Sequence, residues 1–274
     1  MAIFFVGGSQ RSGTTLLQTV LCQDPEVNPL IQEAKYLRHL LSGYQFGRQM
    51  FDRETKDYFV DLDQYRNFNS RIVRSFLKNT LSIYKPARHL VLREPHLTML
   101  FPELAELLPR AKFVCVVRDP RDVIASMVRV GQKLGTHAAS DAMGRLFQAR
   151  DMTALSRHVM SFYRPVIKNA ADGLRGRLLF LRYEDLVAEP GAAVQKLRGF
   201  TGIALGTYDA ATEPDTGRVN YRQLDEYRSA WSTEQYTGKV TDSRIGAHAE
   251  VLDEAECLEI AKQCAGFMHR FGYG

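Results

Sequence analysis

The segment Gly8-Ser9-Gln10-Arg11-Ser12-Gly13-Thr14-Thr15 has the residue types and spacing of an anion cradle. Its two glycines let the backbone turn tightly enough for successive N–H groups to point inward, and a helix starting at the second adds its positive end to their field. The order is glycine, four residues, glycine, then two hydroxyl residues, as in a nucleotide-phosphate loop, except that Thr14 stands where a nucleoside-triphosphate enzyme keeps its lysine. In those enzymes the lysine reaches the terminal phosphates and the next hydroxyl holds magnesium. Here the cation, Arg11, lies inside the loop, where it can sit beside a bridging oxygen, and the pattern does not call for a metal.

A second anion site is written near the middle of the chain. Lys112-Phe113-Val114-Cys115-Val116-Val117 reads as a strand buried on both faces of a parallel sheet, closed by Arg118. Asp119 can cap the next helix, Pro120 suits its first turn, and Ser126 follows about two turns along. An arginine leaving a parallel strand at its carboxyl end stands where open α/β folds bind ligands, so Arg118 and Ser126 can hold one phosphate from two sides. Taken alone, Arg-Asp-Pro-Arg-Asp also reads as a salt-bridged helix start.

Together these residues resemble the sulfotransferases that use 3′-phosphoadenosine 5′-phosphosulfate (PAPS). Arg11-Ser12-Gly13-Thr14-Thr15-Leu16 is similar to the family's 5′-phosphosulfate loop, in the arginine-loop branch of tyrosylprotein and related bacterial enzymes rather than the cytosolic branch, which carries lysine there. Arg118 and Ser126 match the family's 3′-phosphate site, a feature that ATP has nothing to fill. The resemblance places Tyr183, at the end of Leu178-Leu179-Phe180-Leu181-Arg182, beside the nucleotide, and Glu184 and Asp185 read as caps of a short helix. It also maps Lys239, in Tyr236-Thr237-Gly238-Lys239-Val240-Thr241-Asp242-Ser243-Arg244-Ile245-Gly246, onto a loop that closes over the nucleotide. Arg129 shares a helix face with Ser126 and is a further candidate, although the family's related arginine falls one position later; Ser243 and Arg244 receive no role.

The resemblance implies in-line sulfuryl transfer to a hydroxyl acceptor, a small molecule or a peptide tyrosine, with PAP as by-product. Arg11 and the loop N–H groups then stand at the departing phosphate oxygen. Arg93, after the strand His89-Leu90-Val91-Leu92, falls where the tyrosylprotein branch has a catalytic lysine; arginine keeps the charge but does not give up a proton, so only an electrostatic role carries over. For the acceptor's proton there are two candidates. Glu33 matches the catalytic glutamate of the arginine-loop branch, and a carboxylate, being a weak base, needs burial or proximity to serve. Its competing reading is a helix-surface pair with Lys35 or Arg38. His96 is the alternative base, because the cytosolic branch uses a histidine after the corresponding strand.

The elements that must position these residues alternate. Strands are expected at 2–6, 89–93, 112–117 and 178–182, and helices near 13–23, 31–42, 65–82, 98–108, 120–133, within 141–171, and near 191–201 and 253–270. That alternation implies an α/β, P-loop-type three-layer fold, a central parallel sheet flanked by helices, as one domain over 1–274. Aromatic-rich stretches at 43–70 and 203–240 fit either an acceptor pocket or satellite core.

The net charge of +5, from 36 basic and 31 acidic residues, suits an anionic donor and is too evenly spread to argue for nucleic acid. Met1-Ala2 runs straight into the first strand and no apolar stretch reaches membrane length, so the expectation is a cytoplasmic protein without a membrane partner. The four cysteines, Cys22, Cys115, Cys257 and Cys264, lack metal-ligand spacing and read as reduced core thiols. Two other readings stay open: a kinase or nucleotide hydrolase using ATP and magnesium with Asp119 on the metal, and a non-catalytic nucleotide-binding protein.

Overall fold

The computed structural model describes residues 2–140, 142–206 and 244–274. Four strands, β1 (Ala2–Gly7), β2 (His89–Arg93), β3 (Lys112–Val117) and β4 (Leu178–Arg182), form one parallel sheet in the order β2-β1-β3-β4. Between and after them come α1 (Thr14–Leu21), α2 (Lys35–Gln49), α3 (Leu62–Ile83), α4 (Phe101–Leu107), α5 (Pro120–Leu134), α6 (Ala142–Ala149) and α7 (Met152–Asn169). They are followed by α8 (Tyr183–Ala188), α9 (Pro190–Thr201) and α10 (Glu254–Phe271).

The side-chain alternation of the strands divides the core into two faces. Phe4, Val6, Val91, Val114, Val116 and Leu181 point toward α1, α8 and α9. Phe5, Leu90, Leu92 and Phe113 point the other way, onto α2, α3 and α4, and beside them Cys115 and Val117 pack on α5, α7 and α10. Helices on both faces give the three layers expected. The connections leaving β1 and β3 depart to opposite sides, so the crevice between the carboxyl ends of these neighbouring strands is a topological switch point, where open α/β sheets bind ligands. The loop after β1 and Arg118 after β3 both open into it.

Several elements differ from expectation for local reasons. The helix expected from residue 31 begins at Lys35, because Ala34 N donates to Arg93 O at 2.9 Å and holds residues 31–34 along the end of β2. The helix expected near 98 is preceded by a 3-10 turn, Pro95–Leu100, capped by Glu94, whose carboxylate accepts from Leu97 N at 2.7 Å. The stretch within 141–171 is broken at Arg150, at φ 52°, after which Asp151 caps α7. Glu184 and Asp185 do not cap: α8 has no side-chain cap, and Glu184 instead accepts from Asp119 N at 3.0 Å and from Tyr273 OH at 2.9 Å.

Of the first aromatic stretch, Tyr44, Phe51 and Tyr65 are buried, with Tyr44 and Tyr65 stacked at 5.4 Å, so these three are satellite core between α2 and α3. Tyr208, Tyr221, Tyr227, Trp231, Tyr236, Lys239 and Ser243 lie outside the described residues. All four cysteines are free, and among the described residues no helix is long and apolar enough to cross a membrane.

Candidate functional site

The loop after β1 is shaped by its glycines. Gly8 has φ 137° and Gly13 φ 101°; a Cβ at Gly8 would come within 2.6 Å of Val116 O, and one at Gly13 within 2.4 Å of the Tyr183 ring. The first half of the loop is braced from outside. Gly8 N donates to Thr98 Oγ1 at 2.8 Å, Ser9 N donates to Tyr163 OH at 3.1 Å, and Tyr163 OH donates to Val116 O at 3.0 Å. Ser12 Oγ donates to Ser9 O at 2.7 Å and closes the turn. The N-cap of α1 is Gly13, which has no side chain to cap with, so the N–H groups of Gly13, Thr14, Thr15 and Leu16 stand where an anion would act as the cap.

The residues predicted for two separate anion sites are in direct contact. Arg11, held at φ 68°, donates from Nε to Ser126 Oγ at 3.0 Å, and Arg118 donates from Nη1 to Arg11 O at 3.2 Å. Arg118 lies over the Tyr183 ring at 4.2 Å, a cation–π contact, and that same ring occupies the space a Gly13 side chain would need. Burial pushes the Tyr183 hydroxyl up and the Arg118 charge opposes it, so the phenol stays neutral as a platform. Arg118 is almost wholly buried, and its Nε has no hydrogen-bond partner among the described residues. A buried guanidinium N–H without an acceptor among the described residues, beside a glycine-capped helix start and glycines that keep the cradle open, has the donor chemistry that suits an oxyanion. These residues therefore fit a nucleotide carrying two separated phosphates. Arg129 is turned away, paired with Glu250 at 2.5 Å.

On the β2 side, Arg93 is buried and donates from Nε to Gln18 Oε1 at 2.9 Å and from Nη1 to Glu33 Oε1 at 3.0 Å. Lys35 Nζ lies 3.7 Å from the other Glu33 oxygen. The structure thus puts Glu33 and Arg93 in one ion pair. Glu33 precedes α2 and is not paired with Arg38 on a helix surface. The buried Glu94 carboxylate accepts from His96 Nδ1 at 3.0 Å, which leaves the ring's lone pair on Nε2. Both base candidates are therefore oriented by a charged neighbour.

With that geometry in place, comparison with known proteins is direct. The sequence model of the sulfotransferase family matches residues 4–207. The chain belongs to the sulfotransferase family. It is 28% identical over 208 residues to protein-tyrosine sulfotransferase 1 of Danio rerio, covering 74% of this chain and 54% of that protein. It is 32% identical over 126 residues to human carbohydrate sulfotransferase 5, covering 43% of this chain and 31% of the relative. The chain spans about half the length of the protein-tyrosine sulfotransferases it matches. Among solved structures, the sulfotransferase domain of the Synechococcus olefin synthase superposes with TM-score 0.57 at 18% identity, over 97% of this chain and 94% of that one. A mouse sulfotransferase complexed with PAP superposes with TM-score 0.50 at 12% identity, over 98% and 85% of the two chains. At these identities the likeness shows the shared fold.

Within this family frame, the structure adds residues that local patterns do not mark. Gln18, fully buried on α1, steadies Arg93; Tyr163 and Thr98 brace the loop from positions 154 and 90 residues away. His158 on α7 donates from Nε2 to Gln10 Oε1 at 2.8 Å and meets Phe162 edge-on. Burial, reinforced by the charge of nearby His96, pulls His158 down to about 4, so it is neutral at physiological pH. A histidine at helical spacing among apolar residues gave no sign of this contact.

Proposed function

We propose that this chain transfers a sulfuryl group from PAPS to a hydroxyl acceptor by in-line displacement. The observation that carries this reading is the continuous link from the uncapped loop through Arg11 to Ser126 and Arg118. It is a two-station oxyanion site in which the second station has no counterpart in ATP. The loop N–H groups with Arg11 bind the 5′ end, Arg118 and Ser126 bind the 3′-phosphate, and Tyr183 forms the wall between them. PAPS supplies the activated sulfuryl group when bound.

The chain's own residues then do three things. The α1 N-terminus and Arg11 stabilise negative charge as it accumulates on the departing phosphate oxygen. Arg93 adds a buried positive charge at the end of β2 and holds the Glu33 carboxylate through one oxygen. Glu33 accepts the acceptor hydroxyl's proton as the new O–S bond forms and the old S–O bond breaks, with His96 Nε2 the alternative acceptor. Acceptor alcohol and donor thus become the sulfate ester, PAP and one proton.

Thermal stabilisation by PAP, compared with 5′-AMP and with ATP plus magnesium, tests this. A ligand bound only by the folded chain raises the melting temperature with its concentration over its dissociation constant. PAP is expected to stabilise far more than 5′-AMP, and Arg118→Ala to abolish the difference. Equal stabilisation by the two, or a preference for ATP with magnesium, would overturn the proposal.

A further inference from the structure

Arg118 makes one more contact, and it leads away from the nucleotide loops. Its Nη2 donates to Arg244 O at 2.5 Å, so the orientation of this guanidinium depends on a segment 126 residues further along the chain. That segment is tied to α5 by the Asp122 carboxylate. Asp122, one helical turn beyond Arg118 and almost fully buried, accepts from Gly246 N at 2.9 Å on Oδ2 and from His248 N at 3.0 Å and His248 Nδ1 at 2.8 Å on Oδ1. Asp122 Oδ2 also lies 3.8 Å from Arg118 Nη2.

We propose that Asp122, with His248 as its partner, is a positioning and specificity-determining residue: it ties the backbone at 244–248 to α5 and thereby sets the Arg118 guanidinium for the 3′-phosphate. This rests on the PAPS reading above. The physical reasoning is a count of donors. A buried carboxylate at a helix N-terminus needs acceptor sites filled, and three N–H groups from one short segment fill them at normal hydrogen-bond lengths. The same three bonds place the Arg244 carbonyl on Arg118. Arg118 is then held from three directions, by Arg11 O, by Arg244 O and by the Tyr183 face, while its Nε has no partner among the described residues. A guanidinium fixed on three sides loses little freedom on meeting its anion, and fixed donors bind more tightly than mobile ones. The charge of Asp122, offset by these donors, is also kept from repelling an incoming phosphate.

Asp122 therefore separates two properties that a general weakening of the fold would move together. It acts on the 3′-phosphate station through Arg118, while the α1 loop and Arg11 keep their own braces in Thr98, Tyr163 and Ser126. Loss of the carboxylate lowers affinity for PAP and spares affinity for 5′-AMP, which engages only the loop.

The test measures dissociation constants of the full chain for PAP and for 5′-AMP by calorimetry, for wild type, Asp122→Asn, His248→Ala and His248→Asn. Asp122→Asn is expected to weaken PAP about tenfold or more while 5′-AMP changes by less than about threefold. His248→Ala, at a partly exposed position that tolerates truncation, is expected to narrow the PAP to 5′-AMP ratio several-fold, and His248→Asn, which keeps a side-chain N–H, to restore most of it. His248→Ala decides the matter if Asp122→Asn shows no cooperative unfolding. A wild-type ratio retained in Asp122→Asn or, where that variant does not fold, in His248→Ala overturns the inference and leaves the nucleotide reading standing. A wild-type chain that binds PAP and 5′-AMP alike overturns both.

Discussion

Replacing Glu33 by glutamine separates a base from a brace. Glu33 is about a third exposed and shares a 3.0 Å ion pair with Arg93, whose side chain is 5% exposed. Glutamine keeps the size and an oxygen for Arg93 Nη1 and removes the charge and the basic lone pairs. Exchanging a charge-assisted hydrogen bond for a neutral one costs about 1 kcal/mol. Alanine removes the oxygen as well. Breaking a fully buried pair costs about 3–5 kcal/mol, and the solvent reaching Glu33 brings this to roughly 1–3 kcal/mol. If Glu33 takes the acceptor's proton, both substitutions lower kcat by about 10²–10⁴. The expected signature is a glutamine variant nearly as stable as wild type and as slow as the alanine variant, with the KM for PAPS little changed. If Glu33 merely supports Arg93, activity grades with stability and glutamine stays fast. The assay is PAP release from PAPS over a panel of alcohols, phenols and tyrosine peptides, alongside thermal melts of the same preparations. A kcat for Glu33→Gln within about threefold of wild type refutes the base assignment, and a collapse in His96→Ala at the same time transfers it to His96 Nε2.

Gly13→Ala places a Cβ 2.4 Å from the Tyr183 ring at φ 101°. The strain and the displaced ring are worth about 2–4 kcal/mol, so the melting temperature should fall by roughly 5–10 °C and the response to PAP disappear; a drop under about 2 °C contradicts the packing described. His158 gives a pH dependence. Its folded pKa is depressed to about 4 by burial and by the His96 charge, so the unfolded chain binds more protons between that value and the ordinary histidine value. Stability is fully present above about pH 6.5 and is lost as pH falls toward 4, by roughly 1–2 kcal/mol once residual solvent contact is allowed for. Melts from pH 7 to 4.5 should therefore fall more steeply for wild type than for His158→Gln, and parallel curves would show that His158 titrates normally.

What the sequence made legible was whatever is encoded locally. The bounds of β2, β3 and β4 follow from apolar runs ending in arginine, and the loop from its glycine spacing, because strand period and turn chemistry act over a few residues. Asp119 caps α5 as read, accepting from Arg121 N at 2.9 Å. The start of α2 was not legible, since it is delayed by a backbone bond from Ala34 to Arg93 that exists only once β2 is in place. Of the two partners read for Glu33, Lys35 is present at 3.7 Å and Arg38 is not, and the nearer cation, Arg93 at 3.0 Å, was missed for the same reason, since it lies 60 residues away in sequence. Gln18, Tyr163, His158 and Asp122 look like ordinary helix residues, and only the packing of α1, α5 and α7 about the crevice brings them to the loops.

The switch point explains why these distant residues matter. Two parallel strands whose connections diverge leave a gap at their carboxyl ends that no helix fills, so the backbone donors there must be satisfied by loops or by a ligand. In this chain the β1 loop is braced on one side by Thr98 and Tyr163, and Arg118 on the other by Arg244 and Tyr183, with Arg11 spanning the gap to Ser126. Arg11 O is itself an acceptor for Arg118, so the loop and the mid-chain guanidinium are in direct contact. On the proposed reading the two stations share one contact, from Arg118 Nη1 to Arg11 O, through which a bound 3′-phosphate would steady the loop at which leaving-group charge develops. On that reading a donor lacking the 3′-phosphate should lose kcat as well as affinity, since Arg118, which contacts the loop at Arg11 O, is then without its anion.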